Sequence, residues 1–238
     1  NRNQQLELHE DEIILICDRH YGIGCDQLVV INSNNKKDIS AHALFWNSDG
    51  SVSATCGNAT RCIASILFKE TETKIVNIET QNGVIECHKK NNQLVSVNIG
   101  KPKIAWNEIP LSKEQDTQHV KLDEFEAFCL SMGNPHAVII INNAEELENL
   151  NINSIGPRLE KHSIFPKFAN IEFVSVLADK SLRMRVWERG AGITSACGSG
   201  ACATLVAAYS LDISSKENKI ISDGGDLFIK WLDDGSVT

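Results

Sequence analysis

Trp46-Asn47-Ser48-Asp49-Gly50-Ser51-Val52-Ser53-Ala54-Thr55-Cys56-Gly57-Asn58-Ala59-Thr60-Arg61-Cys62 and Trp187-Glu188-Arg189-Gly190-Ala191-Gly192-Ile193-Thr194-Ser195-Ala196-Cys197-Gly198-Ser199-Gly200-Ala201-Cys202 are two renderings of one pattern. In each, a tryptophan followed by a polar residue stands ten positions ahead of a Cys-Gly pair, and an apolar run with helical spacing follows. Cys56 and Cys197 lie 141 positions apart, too far for a solenoid repeat. Duplication into two pseudo-symmetric domains fits better. Two half-sites that each supply one thiol suggest two facing acid/base groups, the pairing that inversion of one carbon centre needs.

Working outward, residues 10–17 read as a short helix with acids in its first turn. A glycine-bearing loop follows at Arg19–Gly24, then a strand at 27–31, a polar turn cluster at 32–38 and a strand at 42–47. The run Ala59–Glu70 has helical spacing with Ile63, Ile66 and Leu67 on one face. Strands are expected at 75–79, 83–89 and 93–99, with Gln81-Asn82-Gly83 as a hairpin turn. Gly100-Lys101-Pro102 marks a domain boundary, giving halves of 1–101 and 102–238. In the second half strands are expected at 125–131, 137–141, 171–177 and 182–187. Helices are expected at 144–150, 154–161 and from near Cys197 to about Tyr209.

Composition bounds the function. Hydrophobic residues at 42% and charged residues at 23% describe a globular chain rather than a disordered one. A net charge of -8 without a basic stripe argues against a nucleic-acid partner. No apolar run reaches the ~18 residues of a membrane span, and Asn1–Gln5 is too polar for a signal peptide. Eight cysteines, several inside apolar runs, read as reduced thiols in a cytoplasmic protein. The first residue is not methionine and the chain stops at Thr238 in what reads as mid-strand, so both ends are expected to lack something.

A cysteine at a helix N-terminus meets unpaired backbone N–H groups and the positive end of the dipole. Both favour thiolate and are expected to pull the thiol below its free value of about 8.5. The glycines after each cysteine allow a carboxylate to approach the same N–H groups. Proton removal beside a carboxylate builds dianionic character, which preorganised donors stabilise. One thiolate must take the proton and one thiol return it from the other face. Against this stands the bland reading of each residue. A buried cysteine is usually an inert small hydrophobe, and Cys17, Cys25, Cys62, Cys87, Cys129 and Cys202 are left in that class. The Cys56/Cys62 and Cys197/Cys202 spacings do not match common zinc sites. Taken alone, His136 in Asn134-Pro135-His136 reads as a hydrogen-bonded structural histidine before a catalytic one, and Glu188-Arg189 reads equally as a solvent-facing ion pair.

The motifs Arg19-His20-Tyr21-Gly22-Ile23-Gly24-Cys25-Asp26-Gln27, Asn47-x-Asp-Gly-Ser with Cys56–Cys62, Met132-Gly-Asn-Pro-His136, and Glu188-Arg-Gly-x-Gly-x-Thr with Ala196–Cys202 resemble the diaminopimelate epimerase family. The resemblance spans almost the whole chain. It implies an α/β (α+β) fold of two similar domains, each a mostly antiparallel sheet wrapped around a central helix, with the site in the interdomain cleft. It also implies a homodimeric, cofactor-independent enzyme that interconverts LL- and meso-diaminopimelate for lysine and peptidoglycan synthesis, its only partner a small diamino dicarboxylate. By motif, Cys56 and Cys197 take the place of the two bases, with His136 beside Cys56 and Glu188 beside Cys197. Gly57, Asn58, Gly198 and Ser199 take the reacting carboxylate. Asn47, Asn134, Asn170 and Arg189 take the distal end, and Gln27 borders the pocket. No metal is implied.

The sequence departs from the family in lacking an N-terminal Gly-Asn-Asp-Phe segment and a returning C-terminal strand, which is expected to weaken folding or activity. Ile193 and Ser199 stand where many members carry Glu and Thr, and both changes read as tolerable. Two other readings remain at this stage: a proline-racemase-like enzyme on a smaller amino acid, and an inactive relic of the same fold. Asn58 and the Glu188-Arg189 pair favour the longer, doubly charged substrate. The phenazine-type isomerases of this fold lack the thiol pair.

Overall fold

Trp46 and Trp187 occupy equivalent places in two sheets of the computed structural model, which describes residues 1, 6–53, 56–91 and 94–238. The chain divides into two units, Asn1–Asn98 and Ile99–Thr238. Ile99 joins the second because its N–H donates to Val237 O and Val237 N–H donates to Gly100 O.

The first unit runs α1 (Glu10–Cys17), β1 (Gln27–Asn32), β2 (Ala41–Asn47), β3 (Val52–Ser53), α2 (Gly57–Thr71), β4 (Ile75–Thr80), β5 (Gly83–Lys89) and β6 (Val95–Val97). Its sheet has the order β1-β2-β4-β5-β6, with β3 paired to β2. Only β2–β4 is parallel, so α2 is the crossover between them. Such a connection needs a dozen or more residues. Thr80 pairs with Gly83 across Gln81-Asn82, and the glycine supplies the φ of 114° that closes the hairpin. Ala41, Ala43 and Phe45 are the buried, alternating residues of β2, and Thr60, Ile63, Ala64, Leu67 and Phe68 form the buried face of α2. Burying Ile63 and Leu67 contributes about 1.5–3 kcal/mol each. Ile66 does not share that face. It is 45% exposed, because a position three after Ile63 but one before Leu67 lies at the edge of the stripe, and Phe68 fills the place instead. The expected strand at 93–99 is confined to Val95–Val97, and Gln93 lies outside the described residues, as do Ala54, Thr55 and residues 2–5.

The second unit runs β7 (Val120–Leu122), β8 (Phe125–Ser131), β9 (Pro135–Ile140), α3 (Ala144–Asn149), α4 (Ile152–Glu160), β10 (Asn170–Val176), β11 (Leu182–Glu188), β12 (Gly192–Thr194), α5 (Gly198–Ser210), β13 (Glu217–Ser222) and β14 (Gly225–Lys230). The sheet order is β14-β13-β11-β10-β9-β8-β7, with β12 on β11. The repeat is one of topology and register. Trp46 pairs with Leu28 and Val52, and Trp187 pairs with Ile171 and Ile193. β11–β13 is parallel as β2–β4 is, with Leu182 and Ala41 in matching registers. Each crossover helix therefore starts one residue after a cysteine N-cap.

Two cores flank the second sheet. Residues 200–208 of α5 are buried without a break against Leu130, Val138, Val174, Met184, Ile220 and Leu227. A helix apolar on every side belongs in an interior. The opposite face is closed by α3, α4 and the segment around Ile109, with Phe173, Ile171 and Ala137 pointing into it. β9 begins at Pro135, two residues earlier than the spacing predicts, so His136 is a strand residue rather than part of the turn. A proline at the first strand position costs the ladder no needed N–H. Among the described residues no helix is long and apolar enough to cross a membrane.

Candidate active site

In the first unit Cys56 is the N-cap of the fifteen-residue α2 and is half-buried. Its carbonyl accepts from Thr60 N–H at 2.8 Å and Thr60 Oγ1 at 2.7 Å, which fixes the first turn. Among the described residues a Cβ built on Gly57 would meet nothing within 4 Å. Asn58 Oδ1 accepts from Arg61 Nη2 at 2.7 Å. At the end of β2, Asn47 Oδ1 accepts from Gln27 Nε2 at 3.1 Å, and Asn47 Nδ2 donates to Ser51 Oγ at 3.0 Å. The register Gln27↔Asn47 places this pair one step beyond the tryptophan.

The second unit gathers more. Cys197, 5% exposed, is the N-cap of α5, and its Sγ accepts from Gly200 N–H at 3.3 Å. Ser199 Oγ lies 3.5 Å from the same sulfur, and Asn134 Nδ2 lies 3.5 Å from Ser199 Oγ. Asn134 Oδ1 is 3.0 Å from His136 Nε2, and His136 Nδ1 is 2.7 Å from Glu172 Oε1. Both members of this last pair are fully buried. Glu188 closes β11 with its carboxylate bonded to Thr194 Oγ1 and within reach of the Cys197 thiol. Among the residues singled out by motif, Asn134, His136, Glu188, Cys197, Gly198 and Ser199 thus form one cluster.

Asn170 and Arg189 form a second group. The buried carboxamide of Asn170 donates to Pro135 O at 3.0 Å and accepts from Arg189 N–H at 2.9 Å, tying the starts of β9 and β10 to the turn after β11. Arg189 Nη1 donates to Lys167 O at 3.1 Å and the residue is exposed. Glu188 and Arg189 therefore do not pair with each other, contrary to the bland expectation. The turn is held from below by buried Glu160, which accepts from Trp187 Nε1 at 2.7 Å and Gly190 N–H at 2.9 Å.

Electrostatics at the second cysteine run opposite to the helix-end expectation. Burial pushes the Cys197 thiol well above its ordinary value, and the carboxylates of Glu188 and Glu172 push the same way. The Ser199 and Gly200 contacts oppose this and lose. Burial likewise raises Glu188, against the contacts from Thr194 and Cys197. A dry site with two nearby acids outweighs the partial charge of one helix end. Cys197 is thus a thiol beside a carboxyl group of raised affinity for protons. Of the cysteines set aside as inert, Cys62 is exposed rather than buried, on the solvent side of α2.

Glu172 is the site residue the motifs did not name. Its signal was a charged residue inside the apolar strand Asn170-Ile-Glu-Phe-Val-Ser-Val. Glu160 gave no such signal. Among the described residues no group of three His, Cys, Asp or Glu side chains could hold a metal ion.

A family model described as diaminopimelate epimerase matches residues 1–105 and 128–238. A protein of Acidiphilium cryptum named diaminopimelate epimerase is 42% identical over 99% of this chain and 84% of its own length. Proteins of the same name from Rhodospirillum centenum and Pelagibacter ubique are 44% and 41% identical, covering 93% and 92% of the chain and 76% and 81% of their own. Among solved structures, a PhzF-family phenazine biosynthesis protein of Bacillus anthracis superposes with a TM-score of 0.69 at 15% identity, over 97% of this chain and 85% of that one. A hydroxyproline epimerase of Agrobacterium vitis gives 0.62 at 12% identity, over 95% and 75%. At such identities these two show a shared fold, the α/β architecture of paired sheets and helices.

Proposed function

The chain belongs to the diaminopimelate epimerase family, and from that premise we propose that it interconverts LL- and meso-diaminopimelate by a two-base thiol mechanism without a cofactor. The observation that carries the reading is the repeated cysteine N-cap, Cys56 on α2 and Cys197 on α5, the second with Glu188 against its thiol.

In the direction that uses Cys197 as base, its thiol proton passes to the Glu188 carboxylate. The thiolate then takes the substrate's α-proton, and the electron pair left on carbon delocalises into the carboxylate. The Cys56 thiol delivers a proton to the opposite face of that carbon, leaving a thiolate there. The substrate's proton leaves Cys197 a thiol again, so passage of one proton from Glu188 to solvent and of one from solvent to the Cys56 thiolate resets the enzyme, and the reverse reaction exchanges the roles. First-turn N–H groups of Gly57 and Asn58, and of Gly198 and Ser199, stabilise the dianionic carboxylate, the kind of preorganised donor set that supplies the largest share of such catalysis. His136 serves the proton of Cys56. Asn47, Asn134, Asn170 and Arg189, with Gln27 at the border, fix the distal ammonium and carboxylate. The enzyme works in the cytoplasm as a homodimer, in the supply of lysine and of peptidoglycan precursor.

The test is turnover of LL-diaminopimelate with chiral separation of products, beside free L-proline under the same conditions. Appearance of the meso isomer and no D-proline supports the proposal. D-proline without meso-diaminopimelate would move the enzyme to the smaller substrate.

A further inference from the structure

Glu172 has no counterpart in the first unit. With the tryptophans aligned by strand register, Glu172 occupies the place of Val29. With the cysteines aligned, Gly200 occupies the place of Ala59. These two differences meet in space. A Cβ on Gly200 would stand 2.7 Å from Glu172 Oε1, and 3.3 Å from Cys197 Sγ. The glycine is thus the room that the carboxylate occupies under the first turn of α5. His136 is the third member, on β9, the strand that pairs in parallel with β10. The second unit thus carries a carboxylate where the first carries a valine, and a glycine in the helix that admits it.

A purely structural account of Glu172 is a poor one. Oε1 bonds His136, but Oε2 is buried and has no hydrogen-bond partner among the described residues. Half-satisfied buried carboxylates destabilise, and an apolar residue such as the valine of the other unit would pack without that cost.

We propose that Glu172 is a positioning residue that holds His136 with its Nδ1–H on the carboxylate, leaving Nε2 as the ring atom that gives and takes the reaction's proton. When Nε2 releases its proton, the ring passes from imidazolium to the neutral Nδ1–H tautomer, and Glu172 keeps that tautomer in place. An ionised carboxylate can only accept from the ring, so the proton of the Nδ1 contact lies on the imidazole. From Nε2 the contacts run through Asn134 and Ser199 to Cys197, so the orientation of the ring is passed to the whole cluster. The titratable groups around Glu172 are His136 from β9, Cys129 from β8, Glu188 from β11 and Cys197 at α5. The proposal rests on the epimerase reading for its kinetic consequence and not for its ring chemistry.

The experiment uses the full chain labelled with 15N-histidine, with His136→Asn to assign its signals, together with Glu172→Gln and Glu172→Asp. The neutral His136 ring in the parent is expected as the Nδ1–H tautomer, with the Nδ1 proton far downfield. In E172Q the tautomer redistributes, kcat for diaminopimelate falls about 10²-fold with KM within twofold, and the pH profile of kcat is displaced. E172D, whose carboxylate stops one methylene short, recovers part of the loss. A bare Nδ1 in the parent overturns the proposal even if no variant folds. So does a folded E172Q with unchanged kcat and pH profile. Absence of turnover in the parent alongside the Nδ1–H signature refutes the epimerase reading while leaving the ring assignment standing.

Discussion

Gly200→Ala adds one methyl carbon at the tightest point of the site. Its backbone φ is not positive, so no conformational strain enters, and the helix itself gains about 1 kcal/mol from the exchange. The methyl would lie 2.7 Å from Glu172 Oε1, so the oxygen must retreat by roughly 0.7 Å to reach ordinary contact. That retreat stretches the 2.7 Å His136–Glu172 bond past hydrogen-bond range. Overpacking costs about 1–3 kcal/mol, and loss of a buried bond to a charged group about 1.5–3. The balance is a loss of about 1.5–5 kcal/mol, or a fall in Tm of about 3–20 °C. Gly57→Ala, with nothing among the described residues within 4 Å of the added carbon, is the control and leaves Tm unchanged or slightly raised. Differential scanning calorimetry on both variants reads the difference. Equal Tm values would refute the claim that the carboxylate fills the space under α5, and a normal Tm for G200A with E172V in the same chain would support it.

The remaining predictions concern the thiols. Cys56→Ala and Cys197→Ala should each abolish epimerisation, with α-proton exchange from one stereoisomer surviving in each. Exchange that survives equally from both isomers would contradict one base per face. Glu188→Gln removes a negative neighbour that pushes Cys197 up, so the pH midpoint of Cys197 alkylation, read by mass spectrometry, should move down. An upward move would contradict the assignment. Burial pushes Cys87 up to about 12 and raises Cys129 and Cys197. Each folded-state value lies above the unfolded one, so the stability they contribute is present below about pH 8.5 and is lost as pH rises further. From Cys87 alone the loss by pH 11 is roughly 2–3 kcal/mol. Urea midpoints should fall steeply above pH 9, less so in Cys87→Ala, and a flat profile would contradict the burial of these thiols.

The repeat was legible because its signals are local. A tryptophan, a polar turn and a Cys-Gly pair fix a strand end and a helix start whatever surrounds them, and both helices begin where the glycines say. β13 and β14 escaped because Glu-Asn-Lys-Ile-Ile-Ser and Gly-Asp-Leu-Phe-Ile-Lys alternate only weakly. Their place is set by parallel pairing of Ile220 with Leu182, a contact no local pattern encodes. Ile66 was placed on the wrong side of α2 because a stripe three residues wide has an ambiguous edge. The thiol of Cys197 was misjudged for a similar reason. The helix end can be read from the sequence, but the burial and the two carboxylates that overrule it come from β10 and β11. Glu172 was visible as a charge in an apolar strand, yet its partner His136 lies on another strand and its space is made by a glycine in α5. Only the fold joins the three.

The central claim is that two thiols share one α-carbon, one removing its proton and the other supplying a new one from solvent. Incubation with LL-diaminopimelate in deuterated water, sampled in the first turnovers, measures this directly. The account predicts meso-diaminopimelate carrying one deuterium at the inverted carbon, while the remaining LL substrate is still unlabelled. Meso product that keeps the original proton, or no product at all, would contradict it.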